Sequence, residues 1–133
     1  MSADANLLDH RLKYVKHKGH VIFVADFTHC TAKELLVLLD MARADVARHA
    51  PGSMLTLVEF TGAQIDKNVA TRMKEVLALD RPYVKRSAWV GAESLPHVYV
   101  EHFKNFSQRD IPAFKTREEA MDWLVQDEPS PGQ

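Results

Sequence analysis

Cys30 and His29 are adjacent in a chain with a single cysteine, and a thiolate beside an imidazole is the simplest nucleophile these residues offer. Cys30 directly precedes a helix signal that opens at Thr31, and a helix N-terminus lowers a thiol's pKa. The spacing also fits a packing role. With Thr31 as the N-cap, Cys30 is the residue before the cap and Leu35 the fourth helical residue, the pair that forms a hydrophobic staple. Neighbours on an extended segment point to opposite sides, so His29 is badly placed to deprotonate Cys30. The packing role is the expectation.

The seven histidines form no H-E-x-x-H pair, and no C-x-x-C accompanies them. His97 and His102 are separated by about 140° if they share a helix. His17 and His20 flank a turn, where two solvated ligands bind a metal weakly. No metal is expected. Nor is a cofactor, because G-x-x-x-x-G-K-[ST], G-x-G-x-x-G and G-x-S-x-G are all missing. Arg11, Lys13, Lys16 and Lys18 read as a phosphate or anionic-lipid patch, or as lysines that protect an edge strand; the second is the plainer account. Arg81, Lys85 and Arg86 with Tyr83 have too few aromatics for a base-stacking platform. Asp26, Glu59 and Asp66 fall at or just past strand C-termini, where open parallel sheets meet ligands, although Asp66 is already explained as a helix cap.

The elements that position these groups follow from pattern and punctuation. The chain has 133 residues, 46% hydrophobic, with 17 basic and 18 acidic side chains. That length suits one domain over 1–127 with a polar, disordered tail at 128–133. The apolar fraction and near-balanced charge exclude an intrinsically disordered chain. Near-balanced charge argues against a nucleic-acid partner. The polar start, Met1 to Asn6, lacks the features of an export signal, and the longest apolar runs are far too short to cross a membrane, so a cytoplasmic protein is expected.

Arg11 to Lys16 and His20 to Phe27 predict a hairpin turning at Lys18-Gly19. Thr31-Ala-Lys-Glu34 is a capping box, and Leu35, Leu38, Leu39, Ala42 and Val46 then share a helix face. Met54 to Phe60 predicts a central strand. Asp66 caps a helix to Leu79 with the stripe Val69, Met73, Val76 and Leu77. Ser87 to Val90 is a strand, Ser94-Leu95-Pro96 begins a helix bearing Tyr99, Phe103 and Phe106, and Ile111 to Phe114 is a last strand. Thr116-Arg-Glu-Glu119 is a second capping box before a closing helix. The expected fold is α/β: a small mixed, mostly parallel sheet of about five strands with about four helices.

Four stretches in order carry a resemblance. They are His20-Val-Ile-Phe-Val-Ala-Asp-Phe-Thr followed by Thr31-Ala-Lys-Glu-Leu-Leu; Leu57-Val-Glu-Phe-Thr-Gly; Pro82-Tyr-Val-Lys-Arg-Ser-Ala-Trp-Val-Gly; and Phe114-Lys-Thr-Arg-Glu-Glu-Ala-Met-Asp-Trp-Leu-Val. Together, over about residues 12 to 126, the chain resembles bacterial SpoIIAA-like (STAS-type) proteins, whose related members are grouped with CRAL-TRIO lipid carriers. The resemblance implies a small mixed α/β fold. Anti-sigma-factor antagonists of that class carry an acid-Ser-Ser-Gly turn whose serine is phosphorylated. Laid on this chain, the acid is Asp66, the serines are Lys67 and Asn68, and the glycine is Val69, so the phosphoacceptor is missing.

The expectation is therefore a non-enzymatic STAS-like interaction or regulatory module that binds another protein or a second copy of itself. Its surface would be Thr61, Gly62, Asp66, Lys67 and Asn68. The alternative is a carrier or sensor of a small apolar ligand or lipid, held in a pocket under the helix of Tyr99, Phe103 and Phe106. A thiol enzyme using Cys30 stands third.

Overall fold

The computed structural model describes residues 8–109 and 111–126. The polar tail expected at 128–133 lies outside them. The described residues form a five-stranded sheet and four α-helices. In chain order these are β1 (Leu12–His17), β2 (His20–Asp26), α1 (Ala32–Val46), β3 (Met54–Glu59), α2 (Lys67–Asp80), β4 (Val84–Val90), α3 (His97–Ser107), β5 (Ala113–Phe114) and α4 (Arg117–Leu124). The expected alternation of strands and helices is the observed one.

Sheet order follows sequence order, with β1 antiparallel to β2 and every later pair parallel. Each parallel step must cross over through a helix, and such crossovers are right-handed. Because β2, β3, β4 and β5 advance in one direction, α1, α2 and α3 are all carried to the same face. Their buried residues Leu35, Leu38, Leu39, Val69, Met73 and Phe103 pack on Ala25, Phe60 and Trp89. The other face, Ile22, Val24, Leu55, Leu57, Ala88 and Val90, is covered by Ala120 and Leu124 of α4. Both faces being covered explains the unbroken apolar runs of β2 and β3.

Local chemistry sets the helix ends. Thr31 Oγ1 accepts from the Glu34 amide at 3.2 Å while the Thr31 amide donates to Glu34 Oε1 at 2.8 Å, so the first capping box is complete. The second is not. Thr116 Oγ1 accepts from the Glu119 amide at 3.2 Å, but Glu119 returns to the hydroxyl, at 3.0 Å, rather than to the Thr116 amide. Replacing Thr31 by Ala is expected to cost about 1 kcal/mol, and Thr116→Ala no more than that. Urea melts of the two variants against the parent protein check the ranking.

Some boundaries differ from expectation. Val21 is exposed, because it pairs with Lys16 at the hairpin end. β4 begins at Val84, three residues earlier than its apolar run, and a register shift against Met54/Leu55 absorbs the extra residue. β5 pairs over two residues only. Pro96 is the N-cap of α3, while Ala92–Ser94 form a separate 3-10 turn. β1 is an edge strand, with Lys13, Lys16 and Lys18 exposed along it, which fits the protective reading of those lysines.

Candidate functional site

The loops leaving the C-terminal ends of β2, β3 and β4 are tied into one another. The Phe27 amide donates to Glu59 O at 2.9 Å, His29 to Thr61 O at 2.9 Å, Phe60 to Val90 O at 2.8 Å, and Gln64 to Cys30 O at 3.0 Å. Two glycines make this closeness possible. Gly62 has φ +69°, and a Cβ there would lie 2.1 Å from Nδ1 of His29. Gly91 has φ +73°, and its Cβ would lie 2.1 Å from Oγ1 and 2.9 Å from the backbone nitrogen of Thr61. Side chains do not fit at either place, and the left-handed backbone disfavours them as well. Ser94 closes the third side: its Oγ lies 2.8 Å from Gly91 O and 3.2 Å from Phe60 O, and it accepts from the Gly62 amide at 3.2 Å.

The expected site residues divide into three roles. Thr61 and Gly62 are joints of the locked loops; Gly62 is approached closely, but by His29 and not by an open face. Asp66 is the N-cap of α2, accepting from the Val69 amide at 2.8 Å. Lys67 and Asn68 are exposed in the first turn, and neither side chain has a hydrogen bond or ion pair among the described residues. The amides of Gly62, Ala63, Gln64, Val69 and Ala70 all have internal acceptors. Those five amides are therefore spent within the loop, while Lys67 and Asn68 present their side chains outward. The strand order adds a constraint: since it never reverses among the parallel strands, there is no switch-point crevice of the kind that holds ligands in doubly wound sheets.

Asp26 and Glu59 are register partners at the ends of β2 and β3, on the α4 side. Arg117, at the start of α4, bonds Glu59 and reaches Asp26 Oδ2 at 3.1 Å. Thr28 donates its amide to Asp26 Oδ1 at 3.0 Å and its hydroxyl to Glu59 Oε2 at 2.9 Å. Arg11 sits 3.7 Å from Asp26 and donates to Thr28 O at 2.8 Å. Burial pushes the Asp26 carboxyl up, but the Thr28 donors and both arginines together hold it below the usual carboxylate range. Carboxylates paired this fully brace α4 against the strand ends.

Cys30 is buried among Phe27, Leu35 and Phe60, and burial pushes its thiol up, with Arg11 opposing. That direction is opposite to a nucleophile's. His29 has φ +55° and spends its ring on Gly62. His17 and His20 do face each other in the hairpin, yet His17 Nε2 is 2.7 Å from Asp122 Oδ1, a strut between β1 and α4. No three His, Cys, Asp or Glu side chains gather into a metal cluster among the described residues, and no helix there is long and apolar enough to cross a membrane.

The expected pocket under α3 lies elsewhere. Phe103 is fully buried, 6.5 Å from the Trp89 ring and nearly perpendicular to it, and Phe106 is exposed under the Lys74 ammonium. The cavity instead runs between the sheet and α1 and α2, with a volume of about 70 Å³. Pockets for drug-sized ligands measure roughly 300–1,000 Å³, so no long acyl chain fits in this cavity; a larger groove of about 340 Å³, lined mainly by polar groups, lies on the α4 side by His20, Arg86 and Leu124. Sequence reasoning gave His29, Ser94, Gly91 and Arg117 no part in this junction. Only Gly91 carried a local signal, a glycine closing an apolar strand. Compared with known proteins, the chain matches no family model, no curated protein and no solved structure.

Proposed function

We propose that this protein is a non-enzymatic, STAS-like interaction module that binds another protein through the rim formed by Thr61, Asp66, Lys67 and Asn68. The observation that supports this reading is the locked loop beneath the rim: the Gly62, Ala63 and Gln64 amides are internally satisfied, while the Lys67 and Asn68 side chains project from a helix start with no partner among the described residues. Pre-organised side chains lower the entropic cost of docking. The resemblance to SpoIIAA-like proteins points to the same segment, with a fixed positive charge at Lys67 in place of a phosphorylatable hydroxyl. A partner with an acidic patch complements it better than a serine kinase does.

Charge reversal tests the reading. A carboxylate in the first turn suits the helix dipole, so Lys67→Glu should leave the melting midpoint unchanged. It should weaken partner binding roughly tenfold, the scale of a lost interfacial charge contact. Competition measures this: excess untagged parent protein should displace a partner from the tagged chain, and Lys67→Glu should do so poorly. Equal competition by both would overturn the assignment.

A further inference from the structure

The cavity on the helical face takes no part in the rim. Its walls are largely apolar, from Ala42, Val46, Met73 and Val76 among others, and donors outnumber the one carboxylate, Asp80, in its polar lining. Trp89 is fully buried and its indole N–H has no acceptor among the described residues; the Nε of Arg81 is likewise buried without one there. Thr56 donates to Ser87 Oγ at 2.8 Å, which leaves the Ser87 proton to be given elsewhere. Arg109 lies beside Arg81, donating to Arg81 O and Lys85 O at 3.2 Å each. No carboxylate pairs with Arg81 or Arg109 among the described residues; Asp80, which also lines the cavity, faces Arg43 at 3.5 Å. Buried donors without acceptors are rare in folded proteins and need a reason.

We infer that this cavity is a binding site for a short-chain monocarboxylate, because Arg81, Trp89 and Ser87 offer donors and positive charge around a small apolar space. An ionised carboxylate only accepts hydrogen bonds, and guanidinium is its strongest common partner. The volume of about 70 Å³ sets the size of the tail. It lies far below the roughly 300–1,000 Å³ of pockets for drug-sized ligands, so only a small body is admitted and a fatty acid is excluded. The inference is independent of the protein-interaction reading, since none of its residues belongs to the rim.

Nitrogen-resolved NMR of the whole chain, titrated with sodium propionate, tests it. The chain has two tryptophans, and Trp123 lies on α4 across the sheet, an internal control. The expected result is a saturable shift of the Trp89 indole and Arg81 Nε–H signals, with Trp123 unmoved. Sodium chloride at equal ionic strength should not reproduce it, and n-propanol should bind about tenfold or more weakly, for want of the charge-assisted bond. Arg81→Gln should weaken propionate by a similar factor. Ala42→Val, which narrows the cavity without touching an arginine, should weaken it while the fold persists. No saturable shift at Trp89 would show a cavity that holds water only; that result, an equal response to chloride, or equal affinity for n-propanol would overturn the inference.

Discussion

Gly91→Ala is expected to destabilise the protein by about 3 kcal/mol or more, the combined scale of left-handed backbone strain and overpacking. The new methyl would meet Thr61 Oγ1 at 2.1 Å, and that atom can rotate away. It would also meet the Thr61 backbone nitrogen at 2.9 Å, which cannot move without breaking the loop junction. Thr61→Ala should therefore rescue Gly91→Ala only in part. Gly62→Ala offers the contrast, because its methyl meets only ring atoms of His29. There, His29→Ala should remove the clash and leave the strain of φ +69° alone. Denaturant melts of the two double-mutant cycles measure this. Full rescue of Gly91→Ala by Thr61→Ala would mean the backbones are not locked as described.

Stability is expected to fall as pH rises from about 4 to 7, through one side chain. Asp80 ends α2, where the helix dipole disfavours a negative charge, and its Oδ1 is buried without a hydrogen bond among the described residues. Burial pushes its carboxyl from the ordinary 3.8 to about 7, against the pull of Arg43. Below pH 4 the carboxyl is protonated both folded and unfolded. Between 4 and 7 the folded protein keeps a proton that the unfolded chain has released, so stability is lost with rising pH; above 7 the dependence ends. The loss is on the order of 2 kcal/mol after allowing for solvent screening. Asp80→Asn forfeits the Arg43 ion pair that forms above pH 7, so its absolute stability is not the readout; its slope is. Melting profiles between pH 4 and 8 should be flatter for Asp80→Asn than for the parent protein, and parallel profiles would contradict the account.

What could be read in the sequence was what depends on near neighbours. The stripe of α1, Leu35 to Val46, and the Thr31–Glu34 box are local, and both stand as expected. The short extent of β5 was less legible, since pairing at Ala113 and Phe114 depends on Trp89 and Val90, over twenty residues away. The site divides in the same way. Asp66 as a cap was visible because the third residue after it supplies the amide. Gly62 looked like open backbone because nothing near it in sequence shows that His29, itself in left-handed conformation, occupies the space. Asp26 and Glu59 looked like a free acidic pair because Arg117, which neutralises them, lies 58 residues beyond Glu59. Strand order, which removes the switch-point crevice, is a property of three crossovers together and of no single segment.

The central claim is that the start of α2 is a protein-binding surface, and site-specific photo-cross-linking inside cells tests it most directly. A photoreactive residue at Asn68 is compared with one at Lys13, exposed on the edge strand β1. The account predicts a discrete protein adduct from Asn68, suppressed by co-expressed parent protein, not suppressed by Lys67→Glu, and missing from Lys13. An adduct from Lys13 with none from Asn68, or identical adducts from both, would contradict it.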